Sequence, residues 1–209
     1  MSHYSSVQYK KKDNLWFEGL YFSRWFKNNP GPILDIGCAT GNFIATHPEI
    51  IEGLEIDEDS LAICAQRQLK VKKADADQDL AVLPADHYQG VYAKQIIEHL
   101  DSPLDFLYQI KRILRPGGQA VVLTPNCPFA VDEGIFWLDK THQHPLTREN
   151  LLDLAAKVGF SGVTVTEDFR CFPGLGFLMR LTSIGPETVA RWERFFGVRG
   201  LSLIMVLIK

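Results

Sequence analysis

The chain reads as an α/β protein built on a parallel, doubly wound sheet, and two observations predict it. The first is alternation. Short apolar runs near 33–36, 52–56, 70–74, 90–94 and 119–124 have strand character, and stretches with helical spacing fall near 58–69 and 103–115. Strands and helices in turn imply a parallel sheet with crossover helices. The second is the run Ile33-Leu34-Asp35-Ile36-Gly37-Cys38-Ala39-Thr40-Gly41, an apolar strand that meets a turn of small residues. A buried parallel strand delivers its C-terminal end to a ligand in this way.

The elements follow in order. Residues 14–28 place apolar side chains at helical spacing, and Pro30-Gly31-Pro32 ends them. Gly37 and Gly41 permit a tight turn and a close approach of backbone to ligand. Twenty positions after Asp35, Glu55 ends a second apolar run. An acid at that distance is placed to accept hydrogen bonds from both ribose hydroxyls of a nucleoside-containing cofactor. The helix over 103–115 starts with Ser102 as cap and Pro103 in the first turn, and Gly117-Gly118 are read as its stop. Residues 124–146 have no clear period, and a loop of that length is often functional. Thr147 then caps a helix over 148–158 that Gly159 ends, followed by a strand near 162–168, an apolar loop, a helix near 186–196 and a last strand over 201–208.

Composition narrows the function classes. The 209 residues suit one domain with a sizeable core. A net charge of −3 argues against a broad nucleic-acid footprint. Lys10-Lys11-Lys12 reads as a solvated run. Cys38, Cys64, Cys127 and Cys171 are scattered without a CxxC pair, which points to no zinc site, no disulfide framework and no metal. They fit small core or turn residues in a reducing compartment. The first thirty residues lack the continuous apolar core of a signal peptide, and the apolar stretch 172–184 is too short and too interrupted to span a bilayer. A cytoplasmic location with no stable membrane insertion is the simplest expectation.

Four segments within residues 33–126 resemble the class I S-adenosylmethionine-dependent methyltransferases of the small-molecule type. They are Leu34-Asp35-Ile36-Gly37-Cys38-Ala39-Thr40-Gly41; Glu55 with Leu61; Ala74-Asp75-Ala76-Asp77 with Leu80 and Pro84; and the stretch from Val91 through Glu98-His99-Leu100 to Arg115-Pro116-Gly117-Gly118. The segment His142–Phe160 is similar to the one that follows the substrate loop in these enzymes. Ala39 departs from the usual middle glycine, and Gln89 stands where an acid commonly precedes the fourth strand.

The resemblance implies a Rossmann-like, mostly parallel seven-stranded sheet whose last strand runs antiparallel. It implies one domain over 1–209: an N-terminal helical cap (1–30), a cofactor-binding half (31–126) and a substrate-side half (127–209). The implied cofactor is S-adenosyl-L-methionine. Asp35, Gly37, Ala39 and Gly41 would carry its methionine end against the backbone. Glu55 would take the ribose and Ile56 would pack on the adenine. Asp75 and the Ala76 backbone would meet the adenine edge; capping a helix is the other use of Asp75. Lys94 and Gln95 would lie near the cofactor's amino end, with solvent-facing side chains as the alternative.

Methyl transfer from a sulfonium needs alignment, exclusion of water and, for a hydroxyl or amine acceptor, a base. His142 and His144 end the irregular loop and are the base candidates, with loop shaping or capping as their structural alternative. His99 is a weaker candidate. The reading is methyl transfer to an O- or N-nucleophile on a small-molecule partner. A non-catalytic S-adenosylmethionine-binding module and a nicotinamide-dependent oxidoreductase are the alternatives. Asn42 opposes the oxidoreductase, because a G-x-G-x-x-G turn from Gly37 needs a small residue there. Phe129, Phe136, Trp137, Phe172, Leu175 and Phe177 suit a partly apolar or aromatic acceptor, or equally a homodimer contact.

Overall fold

The computed structural model describes residues 15–127, 129–132, 134, 136–168 and 202–209. The elements are α1 (Leu15–Tyr21), β1 (Ile33–Ile36), β2 (Ile51–Glu55), α2 (Glu58–Gln66), β3 (Val71–Lys73), β4 (Tyr88–Lys94), α3 (Pro103–Ile113), β5 (Leu114–Pro125), α4 (Phe129–Asp132), α5 (Arg148–Val158), β6 (Gly162–Asp168) and β7 (Ser202–Ile208). A π-helical turn, Phe22–Phe26, extends α1. Tyr4, Tyr9, the Lys10–Lys12 run, the apolar stretch 172–184 with Phe172, Leu175 and Phe177, Cys171 and the helix expected near 186–196 lie outside the described residues.

The strands form one seven-stranded sheet in the order β3-β2-β1-β4-β5-β7-β6. Those from β3 through β5 pair in parallel, and β7 inserts antiparallel between β5 and β6. The expected fold is the observed one. The strands are apolar on both faces, so alternate residues feed two cores. Leu34, Ile36, Val91, Ala93, Ala120 and Val122 pack with α3 and α5 residues such as Leu107, Ile110, Leu151 and Ala155. Ile33, Tyr92, Val121 and Leu123 face the other way, against Tyr21, Phe22, Phe26 and Phe43. The helical N-terminal segment therefore covers one face of the sheet.

Two local signals act as read and one does not. Thr147 caps α5 by accepting from the Asn150 amide, Asn150 reciprocates, and Gly159 closes the helix at φ +78°. Ser102 caps α3, with Pro103 in its first turn. Gly117-Gly118, however, do not stop α3, which ends at Ile113 and passes straight into β5. Between the pairs Tyr88–Leu114 and Gly90–Gln119, β4 advances two residues and β5 five. The surplus is accommodated at Arg115–Gly118, where a Cβ on Gly118 would sit 2.9 Å from the Arg115 carbonyl oxygen. The glycines serve a bulge, a backbone need that helical periodicity does not register.

The order of strands reverses between β1 and β4. In open α/β sheets the crevice beyond the C-terminal strand ends at such a reversal is the ligand site.

Candidate active site

A cleft of about 320 Å³ opens at that point, lined by residues that follow successive strands: Gly37 after β1, Glu55-Ile56-Asp57 at the end of β2, Ala74 and Ala76 after β3, and Gln95, Ile96 and His99 after β4. A second, narrower recess adjoins it and shares Gly37 and Gln95. Its walls include Asp35, Ala39, Thr40, Glu18 and Lys94. The two recesses form one elongated site bent around the β1 turn.

That turn is held by its neighbours. Gly37, Ala39 and Gly41 all adopt positive φ (+69°, +47° and +76°), so the chain coils tightly and presents backbone to the cleft. A Cβ on Gly37 would lie 2.7 Å from Ile96 Cδ1. The Arg67 guanidinium donates to the Thr40 carbonyl at 2.6 Å and to Asn42 Oδ1 at 2.8 Å. Glu55, only 7% exposed, ties the turn to β2: its carboxylate accepts from the amides of Ala39 (2.7 Å), Ile56 (2.8 Å) and Asp57 (2.9 Å). A carboxylate oxygen has room for more than one donor, so Glu55 is fixed in orientation and still able to accept. Beside it Ile56 is 56% exposed, an apolar platform on the cleft wall.

The narrow recess is charged. Lys94 Nζ and Glu18 Oε1 are 2.5 Å apart, and the Tyr92 hydroxyl donates to Glu18 at 3.1 Å. Burial first, and the Glu18 carboxylate next, hold Asp35 well above the usual carboxylate range. Ammonium and carboxylate groups of opposite sign thus stand where an amino-acid moiety could be recognised. Glu18 was not among the residues read from the sequence. It sits in an aromatic helix with no motif around it, and only the packing of α1 on the sheet brings it here.

Ala74 and Ala76 line the wall, and between them the Asp75 carboxylate accepts from the Asp77 amide at 2.9 Å and from Gln78 Nε2 at 3.1 Å within its own turn; it caps no helix, since the turn Asp79–Val82 starts at Gln78 without a side-chain cap. Gln95 has φ +55° and donates to Ser202 Oγ at 3.4 Å.

The loop histidines meet the segment after β4. The amides of Gln143 and His144 both donate to the Glu98 carbonyl, at 2.8 and 3.1 Å. His142 packs against the rings of Phe136 and His99. His144 buries its Nε2 without a partner among the described residues. Glu98 is fully buried: Oε2 accepts from Thr124 Oγ1 at 3.1 Å, and Oε1 has no partner among the described residues. Burial pushes its pKa up to about 7. Burial first, and His142 next, lower the pKa of His99. Trp137 and Leu138, 53% and 81% exposed, lie on the same loop.

A cleft at the strand-order reversal with a charged recess beside it is the ligand site expected of an open α/β sheet. Comparison with known proteins identifies the family. The methyltransferase domain family matches residues 9–165, and the chain belongs to that family of S-adenosylmethionine-dependent methyltransferases. Similar proteins include one described as a probable S-adenosylmethionine-dependent methyltransferase from Mycolicibacterium smegmatis, 28% identical over 79% of this chain and 65% of its own length. A tRNA U34 carboxymethyltransferase of Pseudoalteromonas translucida is 26% identical over 65% of this chain and 46% of its own. A ubiquinone biosynthesis O-methyltransferase of Roseobacter denitrificans is 27% identical over 63% and 60%. The chain thus spans between about half and two thirds of these relatives. The crystal structure of an S-adenosylmethionine-dependent methyltransferase from Archaeoglobus fulgidus shares the fold, with a TM-score of 0.75 at 23% identity over the whole of both chains. Among the described residues, no helix is long and apolar enough to cross a membrane.

Proposed function

We propose that this chain transfers the methyl group of S-adenosylmethionine to an oxygen or nitrogen nucleophile on a small molecule. The observation that carries the reading is the bent cleft: Glu55, Ile56 and Ala76 border its nucleoside half, and Asp35, Gly37, Ala39, Glu18 and Lys94 border its amino-acid half. With adenosine in the first half and the methionyl group in the second, the sulfonium lies at the shared Gly37–Gln95 waist. There the methyl faces His99, which lines the cleft and packs against His142 of the 124–146 loop. The exposed apolar side chains of that loop suit a partly apolar acceptor.

The sulfonium supplies an activated methyl group, so the protein's share is alignment and water exclusion. His142 or His144 acts at the acceptor, taking its proton or orienting the nucleophile. The His142 Nδ1 is bonded to the Phe136 carbonyl at 2.6 Å, which leaves Nε2 with a lone pair; His144 Nε2 is likewise unengaged among the described residues. The relative that acts on tRNA makes a nucleic-acid acceptor the competing outcome, and the net charge of −3 opposes it. Mass spectrometry of a metabolite extract incubated with the protein and methyl-labelled cofactor tests the proposal. A labelled small-molecule product supports it, and label found only in added RNA overturns it.

A further inference from the structure

Glu98, His99 and His142 each offer a ligand atom, and these atoms all lie within 4.8 Å of one another. The hydrogen bonds around them leave one nitrogen of each ring and one Glu98 oxygen without a hydrogen-bond donor among the described residues. The Thr141 hydroxyl donates to Asp139 Oδ1 at 2.6 Å, so at its 2.8 Å contact with His99 it must accept, from Nδ1–H. His99 Nε2 is then an unprotonated lone pair, 4.0 Å from Glu98 Oε1. The carbonyl of Phe136 likewise demands Nδ1–H of His142 and leaves its Nε2 unprotonated, 4.0 Å from Asp139 Oδ2. Ring nitrogens of metal-bound histidines are oriented by second hydrogen bonds of this kind. The third atom, Glu98 Oε1, is fully buried without a partner among the described residues, whereas Oε2 has Thr124. A buried carboxylate oxygen with neither donor nor cation is costly.

We propose that Glu98, His99 and His142 form a divalent cation site beside the methyl-transfer cleft, of the two-histidine, one-carboxylate kind that zinc accepts with open positions left over. Metal–ligand bonds of about 2.0–2.2 Å place ligand atoms about 3.0–3.5 Å apart, so a contraction of about an ångström closes the set. The inference rests on the methyl-transfer reading for its purpose and specifies how the acceptor is activated. An acceptor hydroxyl coordinates the ion through oxygen and loses its proton to solvent, so that His142 orients the nucleophile through the ion and is not itself the base, and the metal-held alkoxide or phenolate is the nucleophile. Its oxygen forms the new bond to the methyl carbon as the carbon–sulfur bond breaks, and that electron pair stays on sulfur as a neutral thioether. His99 lines both this cluster and the cofactor cleft, which places the ion next to the transferred group. The acceptor class is then a hydroxylated compound able to bind a metal, an alcohol or a phenol.

The test needs neither acceptor nor turnover. The protein is stripped with a chelator, dialysed, and titrated with zinc alone by calorimetry, with metal content measured in parallel. One zinc per chain is expected. The near-isosteric Glu98→Gln and, separately, His142→Ala should each weaken that site at least tenfold. Both variants should bind S-adenosylhomocysteine as the unaltered protein does, which shows that the fold survives. No stoichiometric zinc site, or equal zinc affinity in Glu98→Gln, overturns the proposal. Because zinc binding is read without methyl transfer, failure here and failure of the methyltransferase reading are separate results.

Discussion

Replacing Glu55 with Gln separates its two tasks, holding the β1 turn and holding the cofactor. Three backbone amides point at this carboxylate: Ala39 at one oxygen, Ile56 and Asp57 at the other. A glutamine keeps the shape but offers one acceptor end. Its oxygen is best turned to the Ile56 and Asp57 pair, which sets its NH2 against the Ala39 amide, donor against donor. Leaving one such buried donor unsatisfied costs about 1–3 kcal/mol of folding stability. The ribose loses a charged acceptor at the same end, about 1.5–3 kcal/mol more. That second loss corresponds to roughly 10–150-fold in dissociation constant. Denaturant unfolding reads the first effect, and calorimetry with S-adenosylhomocysteine at a temperature where the variant is folded reads the second. Lower stability with unchanged affinity would refute the ribose role and leave Glu55 as a turn anchor alone.

Four further outcomes are expected. Gly37→Ala forces a Cβ onto Ile96 Cδ1, 2.7 Å away, at φ +69°, and should weaken S-adenosylhomocysteine binding at least tenfold in calorimetry. Thr147→Ala removes the α5 capping box and should cost about 1 kcal/mol, a fall of about 2–4 °C in melting temperature, with cofactor affinity unaltered. With an identified acceptor, His142→Ala or His144→Ala should lower turnover about 10²–10⁴-fold at unchanged cofactor affinity; near-normal turnover in both would make the loop histidines structural. Burial raises the Asp168 carboxyl from 3.8 to about 6, so between those values the folded protein holds a proton that the unfolded chain has lost. Its contribution is present below pH 4, is lost as pH rises to 6, and amounts to about 3 kcal/mol at most. Asp168→Asn should remove that slope, seen as the pH-dependent difference in unfolding free energy between the two proteins.

The strand–turn–strand frame around the cleft was legible because its signals are local. The β1 turn, the acid twenty residues on and the caps of α3 and α5 each depend on a few adjacent residues. Inserting β7 antiparallel needed the family resemblance as well, since an apolar run shows burial on both faces but not direction. What escaped was set by tertiary packing. Glu18 reaches Lys94 across 76 positions, and Arg67 clamps Thr40 across 27. The bonds of Asp75 were not legible either: its place in the motif fits an adenine contact, and the structure adds donors from the Asp77 amide and Gln78 to the carboxylate. Glu98 was visible as an acid beside a histidine. Only the approach of Thr141 and His142 from more than forty residues away turns it into a candidate ligand.

The central claim, that the bent cleft is built around S-adenosylmethionine, is tested most directly by a crystal structure with S-adenosylhomocysteine bound. The account predicts the ribose hydroxyls on Glu55, the adenine between Ile56 and Ala76, and the amino-acid end beside Gly37 with its charges toward Asp35, Glu18 and Lys94. A ligand seated elsewhere, or an adenosine in the cleft whose ribose does not touch Glu55, would contradict it.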